Sequence, residues 1–103
     1  IVSGSNQENA AFSAGTCAER CTMFYANAAY PDKPICTIAI AARGTDGGFT
    51  QSPISPCGVC RQALIEAQMR AKAPIRVLLY GQRETLVLDS ISRLLPFQFD
   101  EIV

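Results

Sequence analysis

Apolar residues recur at helical spacing in two stretches of this chain. The first stretch predicts a helix over residues 17–29, in which the residues at helical spacing are Cys21, Phe24, Tyr25 and Ala28. The second predicts a helix over residues 58–72, whose expected inward side chains are Leu64, Ile65 and Met69. Pro31 lies beyond the first helix, and Thr16 precedes it with Glu19 at capping-box spacing, so Thr16 is the expected N-cap.

Three short runs rich in β-branched and other apolar residues predict strands over residues 35–42, 75–80 and 85–88. A further short strand is expected to open the chain and to end at Gly4–Ser5, before a loop that runs to Thr16. Asp89 or Ser90 is expected to cap a short helix that ends at Leu95.

The alternation of strands and helices predicts an α/β sandwich that forms a single domain over residues 1–103. Only residues 81–84 separate the last two predicted strands. A parallel return needs a crossover of about a dozen residues or more, so these two strands must be antiparallel. The sheet is therefore predicted to be mixed.

The charge balance argues against a polyanionic partner. Lys and Arg together number 9, as do Asp and Glu, so the formal net charge is zero. No basic run offers a surface for a nucleic acid polymer or an anionic membrane, which favours a small ligand. No stretch is long enough to cross a membrane, and we expect a cytoplasmic protein. The 49% of hydrophobic residues is high for so small a chain, and suggests burial against other subunits.

The chain contains five cysteines and no histidine. An odd count with C-x-x-C spacing fits a reducing compartment and metal binding better than a disulfide framework. Cys36 lies in an apolar run and is expected to be a buried structural residue.

Two short motifs carry the candidate chemistry, Cys17-Ala18-Glu19 and Pro56-Cys57-Gly58-Val59-Cys60. Their three thiolates can hold a zinc ion and leave its fourth position open, as in a catalytic site. Both motifs lie at predicted helix starts, where free N–H groups and the helix dipole stabilise negative charge. Cys57 and Cys60 are one helical turn apart, so both sulfurs can point to one ion.

Glu19 has two interpretations, a helix-capping carboxylate or a general acid/base beside the metal. In a chain without histidine, and beside three thiolates, the second is favoured. Three thiolates give a zinc centre a formal charge of −1, which a neighbouring cation can offset. Arg20 is the first candidate for that supporting role and Arg61 the second, with a solvated surface charge as the alternative for each.

The chain resembles the free-nucleoside cytidine deaminases, whose zinc-deaminase signature places a glutamate two residues after one ligand and then P-C-x-x-C. The resemblance covers essentially the whole chain from Gly4 to Phe99, and the matching segments are Asn6-Gln7-Glu8-Asn9-Ala10, Thr16-Cys17-Ala18-Glu19-Arg20, Ser55-Pro56-Cys57-Gly58-Val59-Cys60-Arg61-Gln62 and Leu94-Leu95-Pro96-Phe97-Gln98-Phe99. It implies a three-layer α/β/α sandwich with a mixed sheet.

The resemblance also implies the role of each site residue. Glu19 would be the proton shuttle, and the zinc ligands would be Cys17, Cys57 and Cys60. Asn6 and Glu8 would hydrogen-bond the ribose hydroxyls, and the backbone of Ala18 would contact the pyrimidine ring. The implied reaction is hydrolytic deamination of cytidine and 2′-deoxycytidine to the uridine nucleosides and ammonia, a step of pyrimidine salvage, in a homo-oligomer that is a tetramer or a dimer.

The chain opens with Ile1-Val2-Ser3-Gly4 and no Met, which predicts that an N-terminal segment is absent. In the family that segment carries a helix, a strand and an aromatic residue of the pocket. Three alternatives remain open. One is a closed structural site in which Cys21 adds a fourth thiolate, the second is a blasticidin-type deaminase, and the third is a non-catalytic relative.

Overall fold

The computed structural model describes residues 1–101, and the chain divides into two compact units, Ile1–Pro34 and one that begins at Ile35. The first unit contains a short 3₁₀ helix, Phe12–Ala14, and the helix α1, Ala18–Ala29. Met23 is the buried apolar residue of α1, whereas Phe24 and Tyr25 of the predicted helical pattern are exposed. Within residues 1–101, no helix is both long and apolar enough to span a membrane.

The backbone that precedes α1 departs from the prediction. The expected opening strand is absent, and among residues 1–101 the segment before Thr16 pairs only through the isolated antiparallel bridge between Gln7 and Thr16. A strand needs a neighbouring strand to satisfy its backbone groups, and residues 1–5 have none among the described residues. Instead, Gly4 lies against α1, where a Cβ atom on it would overlap the Thr22 hydroxyl.

The second unit contains a mixed three-stranded sheet. Its strands are β1, Thr37–Ile40, β2, Arg76–Tyr80, and β3, Thr85–Leu88, in the spatial order β1-β2-β3. β1 pairs with β2 in parallel and β2 pairs with β3 antiparallel, which confirms the mixed sheet. The turn is closed by a hydrogen bond of 3.0 Å from the Gly81 N–H to the Glu84 carbonyl. Cys36, expected to be buried, is exposed just before β1, an edge strand whose side chains alternate between exposed and half-buried.

The helix α2, Gly58–Ala71, lies between β1 and β2 in the chain and provides the crossover that their parallel pairing requires. A second 3₁₀ helix, Ile91–Leu94, follows β3, and Ser90 caps it by accepting from the Ser92 N–H at 3.1 Å. The buried apolar residues of this unit come from α2, from β2 and the residue before it, and from the second 3₁₀ helix. They are Cys60, Leu64, Ile65, Ala67, Ile75, Val77, Leu79, Ile91 and Leu94.

Gln68 joins α2 to the two elements beside it. Its Oε1 accepts from the Ile75 N–H at 2.9 Å and from the Ile91 N–H at 3.0 Å, and so satisfies backbone donors next to β2 and in the second 3₁₀ helix. Met69 was expected to point inward, but its side chain is 38% exposed. Gln68 takes the inward position on this turn of α2 because its amide can satisfy those donors and a thioether cannot.

The loop that leads to Cys57 is held against the β2–β3 turn. The Gln82 N–H donates to the Thr50 carbonyl and the Arg83 N–H donates to the Gln51 carbonyl, both at 3.0 Å. Gly81 is buried at this contact, where a Cβ atom would lie 2.6 Å from the Pro53 nitrogen and 2.7 Å from the Gln51 carbonyl oxygen. Both neighbours are backbone atoms, so a side chain cannot rotate away to make room.

We therefore expect Gly81→Ala to lower the free energy of unfolding by about 3 kcal/mol, the upper end of the usual cost of overpacking. Gly48→Ala is the matched control, because its Cβ atom would meet the Asp46 carboxylate at an ordinary contact of 3.5 Å. Urea denaturation of both variants measures the difference. Equal stability of the two variants would contradict the tight contact at Gly81.

Candidate metal centre

Cys17 and Glu19 lie at the start of α1. Cys17 occupies the N-cap position with an extended backbone, and Glu19 lies in the first turn. The Arg20 guanidinium reaches back along the helix, and its Nη2 donates to the Cys17 sulfur at 3.7 Å. Arg20 is thus placed where the sequence predicted a cation, beside a thiol of the candidate site.

Cys57 and Cys60 lie at the start of α2. Cys57 is the N-cap residue and is exposed, whereas Cys60, one turn into the helix, is fully buried. The local sequence sets the position of Cys57, because Pro56 restricts the backbone just before it and α2 begins directly after it. Cys60 is therefore fixed among buried residues, whereas Cys57 lies at the protein surface.

The sulfur atoms of Cys17, Cys57 and Cys60 all lie within 4.8 Å of one another. Tetrahedral zinc with Zn–S bonds of about 2.3 Å places its sulfurs about 3.8 Å apart, so these three thiols need only a small inward shift. Three soft thiolates are a donor set that suits zinc, and a fourth protein ligand is not needed for a catalytic site. The residues present therefore fit a zinc ion.

Cys21 does not belong to this group of sulfurs. Within residues 1–101, the cysteines close enough to share an ion are Cys17, Cys57 and Cys60 alone. Cys21 lies in the second turn of α1, where its N–H donates to the Cys17 carbonyl at 3.0 Å. The structure therefore favours three thiolate ligands over the closed set of four.

The predicted polar residues are placed as follows. Glu19 is half-buried, and within residues 1–101 its carboxylate makes no hydrogen bond or ion pair. Asn6 and Glu8 are exposed and flank Gln7, so in extended backbone they share one face. Ala18 is half-buried at the first position of α1. Because the Glu19 carboxylate makes no hydrogen bond or ion pair within residues 1–101, it is not committed to a structural contact.

The predicted capping box is wrong. Thr16 lies one residue before the N-cap, and its backbone is bridged to Gln7 rather than turned towards α1. The Ala18 N–H donates instead to Asn6 Oδ1 at 2.8 Å. Asn6, twelve residues before Ala18 in the sequence, thus supplies the hydrogen bond that a local Ser or Thr usually supplies.

Arg61 has a structural contact that sequence reasoning did not find. Its Nε donates to the Pro56 carbonyl and its Nη1 donates to the Leu94 carbonyl, both at 2.8 Å. Arg61 therefore holds the residue before Cys57 and ties it to the end of the second 3₁₀ helix. The segments that contain Arg61 and Leu94 both resemble the same family. Neither segment by itself indicates that the two residues contact each other.

A family model of the cytidine and deoxycytidylate deaminase zinc-binding region matches residues 1–73. That range contains all three cysteines of the sulfur group, together with Glu19. The family's description and the geometry thus agree on a zinc site.

Individual relatives agree with the family model. The chain is 32% identical over 99 residues to a cytidine deaminase of Halalkalibacterium halodurans, a match that covers 96% of this chain and 67% of that protein. It is 31% identical over 101 residues to a cytidine deaminase of Sporosarcina psychrophila, covering 98% of this chain and 67% of that one. A crystal structure of cytidine deaminase from Burkholderia pseudomallei superposes with a TM-score of 0.71 and 35% identity, covering 93% of this chain and 69% of that one.

Proposed function

Because this chain belongs to the cytidine and deoxycytidylate deaminase family, we propose that it catalyses zinc-dependent hydrolytic deamination of cytidine and 2′-deoxycytidine. The products are the corresponding uridine nucleoside and ammonia. The observation that carries the proposal is the group of three cysteine sulfurs within 4.8 Å of one another.

Cys17, Cys57 and Cys60 would hold the zinc ion. When bound, zinc supplies a Lewis acid that makes water a nucleophile near neutral pH. Arg20, which donates to the Cys17 sulfur at 3.7 Å, would offset part of the negative charge of the three thiolates when zinc is bound.

Glu19 would carry the protons of the reaction. Its carboxylate takes a proton from the attacking water and delivers it to the ring nitrogen beside the amino-bearing carbon. The new C–O bond forms at that carbon. Glu19 then transfers the second proton of the water to the amino group, the C–N bond breaks, and ammonia leaves. What supports this role is the uncommitted carboxylate of Glu19, two residues after Cys17 in the first turn of α1.

Asn6 and Glu8 would select a nucleoside by its sugar hydroxyls. A site that pairs with a hydroxyl rejects analogues that lack it, because its own polar groups are then left unpaired. The negative charge of Glu8 would also repel a phosphate on the sugar, so nucleotides should be poor substrates. The Ala18 amide would contact the pyrimidine, sharing its N–H with Asn6 Oδ1.

The remaining properties follow from composition and exposure. Zero net charge disfavours a nucleic acid polymer as substrate. The side chains of Phe97 and Phe99 are 98% and 67% exposed, and we propose that they are covered in a homo-oligomer, a tetramer or a dimer. The five cysteines, all within residues 1–101, form no disulfide bond, which suits the reducing cytoplasm. We treat residues 1–103 as one deaminase domain, since the family match extends across both units.

The alternatives are weaker. A blasticidin-type deaminase shares the cysteine motifs, but the curated relatives described above are both named cytidine deaminases. A structural site of four cysteines requires Cys21, which lies outside the sulfur group. A non-catalytic relative would have no need of the Glu19 carboxylate beside the metal motif.

The direct test is deamination of cytidine by the purified chain, followed by the loss of cytidine absorbance and by ammonia release. We expect a strong zinc chelator to abolish activity and added zinc to restore it, whereas added magnesium should not, because magnesium prefers oxygen ligands to thiolates. Deamination that is unaffected by complete removal of zinc would refute the proposal. Blasticidin and deoxycytidine serve as comparison substrates in the same assay.

A further inference from the structure

The start of α1 is capped from a distance. The first residues of a helix leave backbone N–H groups without helical partners, and a Ser, Thr, Asp or Asn at the N-cap usually satisfies one of them. Here the N-cap residue is Cys17, whose sulfur accepts from Arg20 and makes no capping hydrogen bond. The Ala18 N–H donates to the side chain of Asn6 instead, at 2.8 Å.

This arrangement resolves a conflict at the N-cap position. A residue that ligates a metal cannot also turn its side chain back to cap its own helix. A side-chain cap for this helix therefore has to come from another segment, through an acceptor that is fixed in place. Asn6 meets that requirement within the first unit of the chain.

Two neighbouring contacts fix the segment that carries Asn6. Gln7 exchanges two backbone hydrogen bonds with Thr16, of 2.8 Å and 2.9 Å. Gly4 lies so close to Thr22 of α1 that a Cβ atom has no room. The chain is thus held to α1 on one side of Asn6 and to the residues just before α1 on the other.

We propose that Asn6 is a positioning residue that holds the first turn of α1, and with it Cys17 and Glu19, through its side-chain carbonyl. The proposal rests on the proposed function for its catalytic consequence, but not for its structural one. Oδ1 of Asn6 accepts from the Ala18 N–H, whereas its Nδ2 group makes no hydrogen bond within residues 1–101. Nδ2 is therefore the group that we expect to donate to a sugar hydroxyl, with Glu8 as the acceptor.

Two variants separate the capping role of Asn6 from its role as a donor to the sugar. Asn6→Ala removes the cap and the donor, so we expect about a fivefold loss in the folding equilibrium constant. Weaker zinc binding in a competition assay with a chromophoric chelator, a lower kcat and a higher KM for cytidine should accompany it. Asn6→Asp retains an oxygen that can accept from the Ala18 N–H but loses the donor. We expect it to keep the parent's folding stability and zinc affinity, and to show the higher KM.

Asn9→Ala is the matched control. Asn9 is in the same loop, is also exposed, and its Oδ1 accepts from the Ala11 N–H at 2.8 Å, but that bond lies outside α1. We expect parental zinc affinity for Asn9→Ala. The proposal is overturned if Asn6→Ala has the zinc affinity and stability of Asn9→Ala, or if Asn6→Asp restores neither. Folding and zinc binding are measured without substrate, so failure of the parent to deaminate cytidine would overturn only the proposed function.

Discussion

Replacing Glu19 with Gln is expected to lower kcat for cytidine by about 10²- to 10⁴-fold, the usual contribution of a positioned general acid/base. Gln is close to Glu in size, so α1 and the sulfur group should remain in place. It cannot accept a proton from water or pass one to the ring nitrogen and the leaving amine. Steady-state kinetics of the variant, together with its zinc content by mass spectrometry, measure the effect.

Glu84→Gln is the control for this substitution. Glu84 is an exposed residue of the β2–β3 turn, and its backbone carbonyl rather than its carboxylate closes that turn. Its replacement changes the net charge by the same amount as Glu19→Gln and should leave kcat at the parental value. A Glu19→Gln variant that binds zinc and turns over at the parental rate would remove Glu19 from the mechanism.

Features with a local physical cause were predictable from sequence. The four-residue separation of β2 and β3 allows only a tight turn, and the antiparallel pairing followed. The position of α2 between two parallel strands follows equally from the need for a crossover. The helices predicted over residues 17–29 and 58–72 agree with α1 and α2 to within one residue at each end, because their apolar residues recur at helical spacing.

Features that depend on distant neighbours were not predictable. The opening strand was inferred from apolar and β-branched residues, but a strand forms only where another strand satisfies its backbone, and a sequence does not reveal that. The same limit applies to Cys36, whose apolar context suggested burial although β1 is an edge strand. Thr16 has the composition of a cap, yet the bridge to Gln7 takes its backbone out of position and Asn6 replaces it.

The candidate site likewise has features that were predictable from local sequence and features that depend on distant residues. The identity of Cys17, Cys57 and Cys60 as a group was predictable, because ligand chemistry and motif spacing restrict the choice severely. The support around them was only partly predictable. Arg20 is one turn from Cys17 on the same helix, and its contact with the sulfur follows from helical geometry. The contact of Arg61 with Leu94 joins residues far apart in the chain, and only the folded structure brings them together.

Replacing Cys57 with Ser is expected to have the largest effect on the metal. Loss of a supporting residue usually weakens metal binding about 10- to 100-fold, and loss of a thiolate ligand should exceed that. A serine hydroxyl stays protonated near neutral pH and is a poor ligand for zinc. Since Cys57 is exposed and Cys60 is buried in the core, substitution at Cys57 should disturb folding least. We expect no zinc to remain after gel filtration, and no deamination.

Cys21→Ser provides the decisive comparison. Cys21→Ser and Cys57→Ser both replace a thiol with a hydroxyl. They differ in that the Cys57 sulfur belongs to the group of three, whereas Cys21, a half-buried residue of α1, lies outside it. One zinc ion per chain and parental activity in Cys21→Ser, with neither in Cys57→Ser, is the result that three ligands and an open fourth position require. Equal loss of zinc in both variants would instead mean four thiolates and a closed coordination sphere. A closed sphere has no position for water, so that single result would remove the metal from catalysis and leave it a structural role.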